Sequence, residues 1–277
     1  MTGDPERRLT MQIHLPELVV VTGSSSGLGE VIAASLLRSG SEVVGVDVNP
    51  HREPLDVSGY THVLSSVAEE STWEQVLQRC EESQASEVGY VACAAILVLG
   101  NAEKVARSEW ERILDVNVIG AALGVAALAP RMRAQGGGSI VMVGSVNAQF
   151  GEEELLAYNV SKGGMRQLAR TAALDYGRDR IRVNMVSPGP MLTDLFFIHM
   201  DAAEDPAALR ATRENRQPLG EILDPQLVAN TVLFMLADEA AGMTGTDVVV
   251  DGGLTAGFDY RNVSMPGVDG RTGSGSA

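Results

Sequence analysis

Tyr158 and Lys162 stand four residues apart in the run Tyr-Asn-Val-Ser-Lys. On a helix that spacing puts both side chains on one face. An ammonium placed there can stabilise a phenolate, and a phenol of lowered pKa can exchange a proton with an alcohol or a carbonyl. Far upstream, Thr22-Gly23-Ser24-Ser25-Ser26-Gly27-Leu28-Gly29 follows an apolar run and opens a helical one. A glycine-rich turn between strand and helix reads as a dinucleotide site, with free N–H groups and the positive end of the helix dipole facing a pyrophosphate. A proton-transfer group beside a nicotinamide carrier makes an alcohol/ketone oxidoreductase.

These groups need a scaffold, and the chain alternates accordingly. Short β-branched runs at 18–22, 42–47, 61–64, 88–93, 139–144, 181–187 and 246–250 read as buried strands. Helical periodicity occupies 27–38, 71–83, 108–135, 155–176 and 225–236. Regular alternation predicts a single-domain α/β fold: a Rossmann-type doubly wound parallel sheet of about seven strands with helices on both faces. Residues 16–257 are expected to form that domain. Residues 1–15 are expected to be a flexible N-terminus, and 258–277, rich in Gly and Ser, a largely flexible tail.

Within the turn, Gly23 allows the tight bend, Gly27 lets the backbone approach the pyrophosphate, and Gly29 lets the helix pack closely. Ser25, Ser26 and Leu28 complete this cofactor-binding segment. Asp47 ends the second strand, where an acid accepts hydrogen bonds from ribose hydroxyls and repels a 2′-phosphate. No Lys or Arg lies at 23–37 or 46–50 to welcome that phosphate, although His51 and Arg52 follow just downstream. NAD is therefore the expected cofactor.

With these motifs in order, the chain resembles the short-chain dehydrogenase/reductase family over about residues 16–254. The resemblance is carried by Thr22-Gly23-xxx-Gly27-x-Gly29, by Asn117 in Asp-Val-Asn-Val, and by Ser145 after Ile-Val-Met-Val-Gly. Tyr158-xxx-Lys162 and Ser187-Pro188-Gly189 complete it. It implies Tyr158 as general acid/base and Lys162 as the group that lowers its pKa and binds the nicotinamide ribose. It also implies Ser145 as holder of the substrate oxygen, and Asn117 as anchor of a water linking Lys162 to solvent. Pro188 and Gly189 would pack beside the nicotinamide, and Thr193 would bond its carboxamide or else cap a helix.

Two departures from the family pattern stand out. The usual Asn-Asn-Ala-Gly after the fourth strand is Ala92-Cys93-Ala94-Ala95 here. That removes polar support for the sheet near the adenosine and puts a methyl where backbone passes the cofactor. The usual Asp-Val after the third strand, whose acid meets the adenine, is Ser66-Val67.

The segment 191–200, Met-Leu-Thr-Asp-Leu-Phe-Phe-Ile-His-Met, is expected to lie in a lid over the site, at about 190–220. Met191, Leu195, Phe196, Phe197 and Ile198 are candidate pocket residues, with Ala95, Ile96, Leu97, Asn147 and Phe150. They predict a hydrophobic, cyclic secondary alcohol or its ketone. His199 reads as a lid surface residue.

A net charge of −15 argues against nucleic acid and anionic membranes as partners. The most apolar stretch, 118–129, reads as too short to span a bilayer. Residues 1–15 lack an apolar core for a secretion signal. Two cysteines, Cys80 and Cys93, build neither a disulfide framework nor a zinc site, so no metal and a cytoplasmic location are expected. The small-residue faces of 108–135 and 155–176 fit the homotetramer that the resemblance implies, or else a dimer. Two alternatives stay open: a biosynthetic ketoreductase of acyl or polyketide type, and a catalytically silent NAD-binding regulatory protein.

Overall fold

The apolar run Leu18–Thr22 forms strand β1 and is buried at every position, as expected of a strand covered on both faces. In the computed structural model, which describes residues 13–51 and 58–257, β1 is central to a seven-stranded parallel sheet. In chain order the elements are α1 (Gly27–Arg38), β2 (Glu42–Asp47), β3 (Tyr60–Leu64), α2 (Glu70–Glu82), β4 (Val88–Ala92), α3 (Arg107–Leu114), α4 (Gly120–Ala134) and β5 (Gly138–Val143). There follow α5 (Leu156–Tyr176), β6 (Ile181–Pro188), α6 (Asp194–Asp201), α7 (Pro206–Arg216), α8 (Pro225–Leu236) and β7 (Asp247–Val250). The strand order is β3-β2-β1-β4-β5-β6-β7.

Side chains alternate across the sheet, so each strand feeds two cores. Val20, Val44 and Val46 face α2, α4 and α5 with Trp73, Val125 and Met165. Val19, Val21 and Val43 face α1 and α8 with Ile32, Leu36, Val232 and Met235. The order reverses between β1 and β4, which opens a crevice at the carboxyl ends of the strands, the usual ligand position in such sheets. The glycine turn, Asp47, Ala92, Val143 and Pro188 all sit at or just beyond that edge.

The expected single helix over 108–135 is instead α3 and α4 joined by a π turn, Asp115–Ile119. Such single-turn widenings recur at functional sites, and this one carries Asn117. The helical run Arg107–Ala134 is also long and apolar enough, by length and composition, to cross a membrane, unlike the shorter stretch read from sequence. Here it buries Val125, Leu128 and Met132 in the core. His14, in the expected flexible N-terminus, is tied to Glu239 through Nδ1 at 2.7 Å. The readings made for 1–12 and 258–277 lie outside the described residues.

Candidate active site

The dinucleotide side of the crevice is made mostly of backbone. Gly23 has φ +69°, and a Cβ there would come 2.9 Å from Ala94 Cα, so only glycine fits the crossing. A Cβ on Gly29 would overlap the Gly23 carbonyl oxygen, which is why α1 can start so close beneath the turn. At Gly27 only the Thr193 side chain stands within reach, at 3.5 Å, so the backbone is open to a bound group. The Asp47 carboxylate accepts from Ser25 N at 3.0 Å and from Asn49 N at 2.9 Å. It is thereby fixed to the turn itself. Ser25 Oγ donates to the Asn49 carbonyl at 2.8 Å, so Ser25 braces the turn from inside and does not line the cavity.

The polar support expected to be missing at Ala92–Ala95 comes from Thr22. Its Oγ1 accepts from Cys93 N at 3.0 Å and Ala94 N at 3.1 Å, tying the end of β4 to β1. Thr22 was legible only as the first residue of the turn. Ser66 Oγ accepts from Ala68 N at 3.3 Å, and Ser66 and Val67 both line the cavity. Thr193 caps α6, accepting from Phe196 N at 3.4 Å, and lines the cavity as well.

The chemical groups meet at the end of β5 and the start of α5. Ser145 caps a short 3-10 turn, accepting from Asn147 N at 3.1 Å, and lines the same cavity as Tyr158. Lys162 Nζ lies 5.7 Å from the centre of the Tyr158 ring and donates to the Val143 carbonyl at 2.9 Å. Burial pushes the Tyr158 phenol up to about 12, against the pull of Ser145. Burial likewise brings Lys162 down to about 8. In the protein alone, therefore, desolvation outweighs the depression of the phenol expected from a neighbouring ammonium. Asn117 stands behind these groups and not in the cavity. Its Oδ1 accepts from Ile96 N at 2.8 Å, and its Nδ2 donates to the Ile96 carbonyl and to Ser161 Oγ, each at 3.0 Å.

The third wall comes from the segment at 191–216 and the loop before α5. Met191, Leu195 and Phe196 line the cavity with Asn147 and Phe150. Phe197 and Ile198 do not; they are exposed on the outer side of α6. His199, expected at the surface, lines the cavity instead, with Nδ1 3.4 Å from Arg213 Nη2. Burial and then the Arg213 charge hold its pKa below the usual imidazole value. Sequence reasoning also missed the ion pair between Glu152 and Arg213. Glu152 Oε2 in turn accepts from Asn147 Nδ2 at 3.2 Å.

One cavity of about 1230 Å³ joins all three walls. It runs from Asp47 and Ser66, past Gly27, Ala94 and Gly189, to Ser145 and Tyr158. The residues present fit an extended dinucleotide: an open glycine turn at a helix N-terminus, a fixed acid where a ribose would lie, and a buried amine beyond.

The sequence model of a family described as enoyl-(acyl carrier protein) reductase matches residues 23–255. The chain is 34% identical over 245 residues to 2,3-dihydro-2,3-dihydroxybenzoate dehydrogenase of Escherichia coli, covering 86% of this chain and 97% of that one. It is 32% identical over 247 residues to cyclopentanol dehydrogenase of a Comamonas species, covering 87% and 97%. Among solved structures, ligand-free aldohexose dehydrogenase of Thermoplasma acidophilum superposes with a TM-score of 0.82 at 28% identity, covering 91% of this chain and 98% of that one.

Proposed function

Because the chain belongs to the short-chain dehydrogenase/reductase family, we propose that it interconverts a hydrophobic, cyclic secondary alcohol and its ketone with NAD, Tyr158 exchanging the proton. The observation that carries this reading is the meeting of Ser145, Tyr158 and Lys162 in the same cavity as the glycine turn. The bound dinucleotide would supply the hydride acceptor or donor.

The remaining work falls to side chains of this protein. Tyr158 holds its proton up to about 12 in the free protein, so it serves directly as the acid toward a ketone oxygen. In alcohol oxidation it must accept the hydroxyl proton, and a charged Lys162 beside the ring favours the phenolate that does so. Ser145, whose hydroxyl pulls the phenol pKa down, would reach the same substrate oxygen and stabilise charge developing there. Asn117 holds the Ile96 backbone and Ser161, keeping the π turn packed behind Tyr158 and Lys162.

Family membership brings a nicotinamide dinucleotide; the preference for NAD rests on Asp47. Both its oxygens already accept backbone N–H bonds, so the acid is fixed where a 2′-phosphate would need a cation. The cyclic substrate is supported by Met191, Leu195 and Phe196 in the cavity wall and by the activity for which the Comamonas relative is named. The description of the matching family favours a second reading, reduction of a carrier-bound acyl chain; the sequence offers no strong basic run to dock a carrier. We also propose a cytoplasmic location and a homotetramer, or else a dimer, the assembly resting on exposed apolar residues of the π turn and α5, Ile119, Val160 and Leu174; light scattering at monomer mass would reject the assembly. The activity is tested by reduction of NAD and NADP against cyclic, linear and charged alcohols. Turnover confined to short charged substrates would refute the substrate class.

A further inference from the structure

The substrate end of the cavity is not the uniformly apolar pocket that its Met, Leu and Phe residues imply. A hydrogen-bonded chain crosses it: Ser145 Oγ reaches Asn147 Oδ1 at 3.4 Å, Asn147 Nδ2 reaches Glu152 Oε2 at 3.2 Å, and Glu152 pairs with Arg213 of the lid. Asn147, Glu152 and Arg213 all line the cavity. The Glu152 carboxylate acts on the Tyr158 phenol and helps to raise it, so it lies within the field of the reacting group. The Arg213 and Glu152 side chains keep 17% and 29% of their surface exposed, so neither is sealed away from a ligand in the cavity.

Charge decides what could bind there. The pair carries no net charge of its own, so a substrate carboxylate would be opposed by Glu152 and a substrate ammonium by Arg213. A hydroxyl suits both, accepting from the guanidinium while donating to a carboxylate oxygen. We propose that the substrate is a neutral cyclic secondary alcohol bearing a second hydroxyl, which Glu152 and Arg213 read while Tyr158 and Ser145 hold the reacting oxygen. This rests on the oxidoreductase reading above and narrows its substrate class. Asn147 then couples the two ends, because one amide contacts both Ser145 and Glu152.

The test compares kcat/KM for NAD reduction across matched rings from cyclopentyl to cycloheptyl, each as mono-alcohol, vicinal diol, hydroxy-carboxylate and amino alcohol. The best diol should exceed its mono-alcohol by about tenfold or more, because a site built to bond a hydroxyl penalises the analogue lacking it. The charged analogues should fall below the mono-alcohol. In Glu152→Gln and Arg213→Gln the diol advantage should shrink to within about threefold, with thermal melting confirming the fold. If either variant does not fold, the wild-type panel alone decides. Equal kcat/KM for mono-alcohol and diol, or a preference for the carboxylate, overturns this inference and leaves the oxidoreductase reading standing. No turnover of any ring alcohol by protein shown to bind NAD overturns both.

Discussion

The two ends of the cavity are held by opposite means. Around Gly23, Gly29 and Asp47 the geometry belongs to the backbone: tight crossings that exclude a Cβ, and a carboxylate fastened by two amide N–H groups. Around Asn147, Glu152 and Arg213 it belongs to side chains contributed by a loop and by α7 that meet only in the folded chain. Backbone constraints tolerate almost no substitution, and they fix a ligand that the whole family shares. A side-chain network can be rewritten one residue at a time, which suits the part of the site that chooses the substrate.

The sharpest way to break this contrast is at Lys162, where both ends meet. Lys162→Met should lower kcat by about a thousandfold, within the range for losing a group that enables proton transfer. It should also change the pH dependence of stability. The folded protein releases the Lys162 proton at about 8, and an unfolded lysine at about 10.4. Between those values the unfolded chain binds more protons, so wild-type stability rises with pH relative to the variant, by on the order of 3 kcal/mol in all. Chemical denaturation at stepped pH checks this, and parallel curves would refute the burial argument.

A backbone test follows at Gly29. Gly29→Ala drives a methyl into the Gly23 carbonyl. It should cost about 1–3 kcal/mol of stability and weaken NAD about tenfold by distorting the turn, read by melting and by dinucleotide titration. Asp47→Ser removes the fixed charge and should lower the NAD-over-NADP preference about tenfold, the scale of one charged hydrogen bond. The smallest effect is a gain. Ser66→Asp restores an acid beside the adenine position and should tighten NAD about threefold, the worth of one ordinary hydrogen bond.

The same contrast explains what could be read in advance. The sheet was legible because valine-rich runs alternate with amphipathic ones, and all seven strands lie where β-branched residues cluster. The glycine turn was legible because Gly23 and Gly29 answer steric demands that no other residue meets. The π turn at Asp115–Ile119 was not, since its residues suit an ordinary helix and only packing of Asn117 against Ile96 and Ser161 marks the difference. Thr22 as the brace for β4 was hidden because the pairing crosses the sheet. Glu152 and Arg213 carried no signal in the sequence, being 61 residues apart, and only the fold, with Arg213 on α7, brings them together.

At the centre stands Tyr158 as the group that carries the proton, assisted by Lys162 and Ser145. Its most direct test is Tyr158→Phe, assayed by reduced-nicotinamide absorbance with a cyclic alcohol and by NAD titration on the same preparation. The account predicts kcat lower by about a thousandfold or more with NAD affinity within about threefold of wild type. Turnover retained within about tenfold of wild type, at undiminished NAD binding, would contradict it.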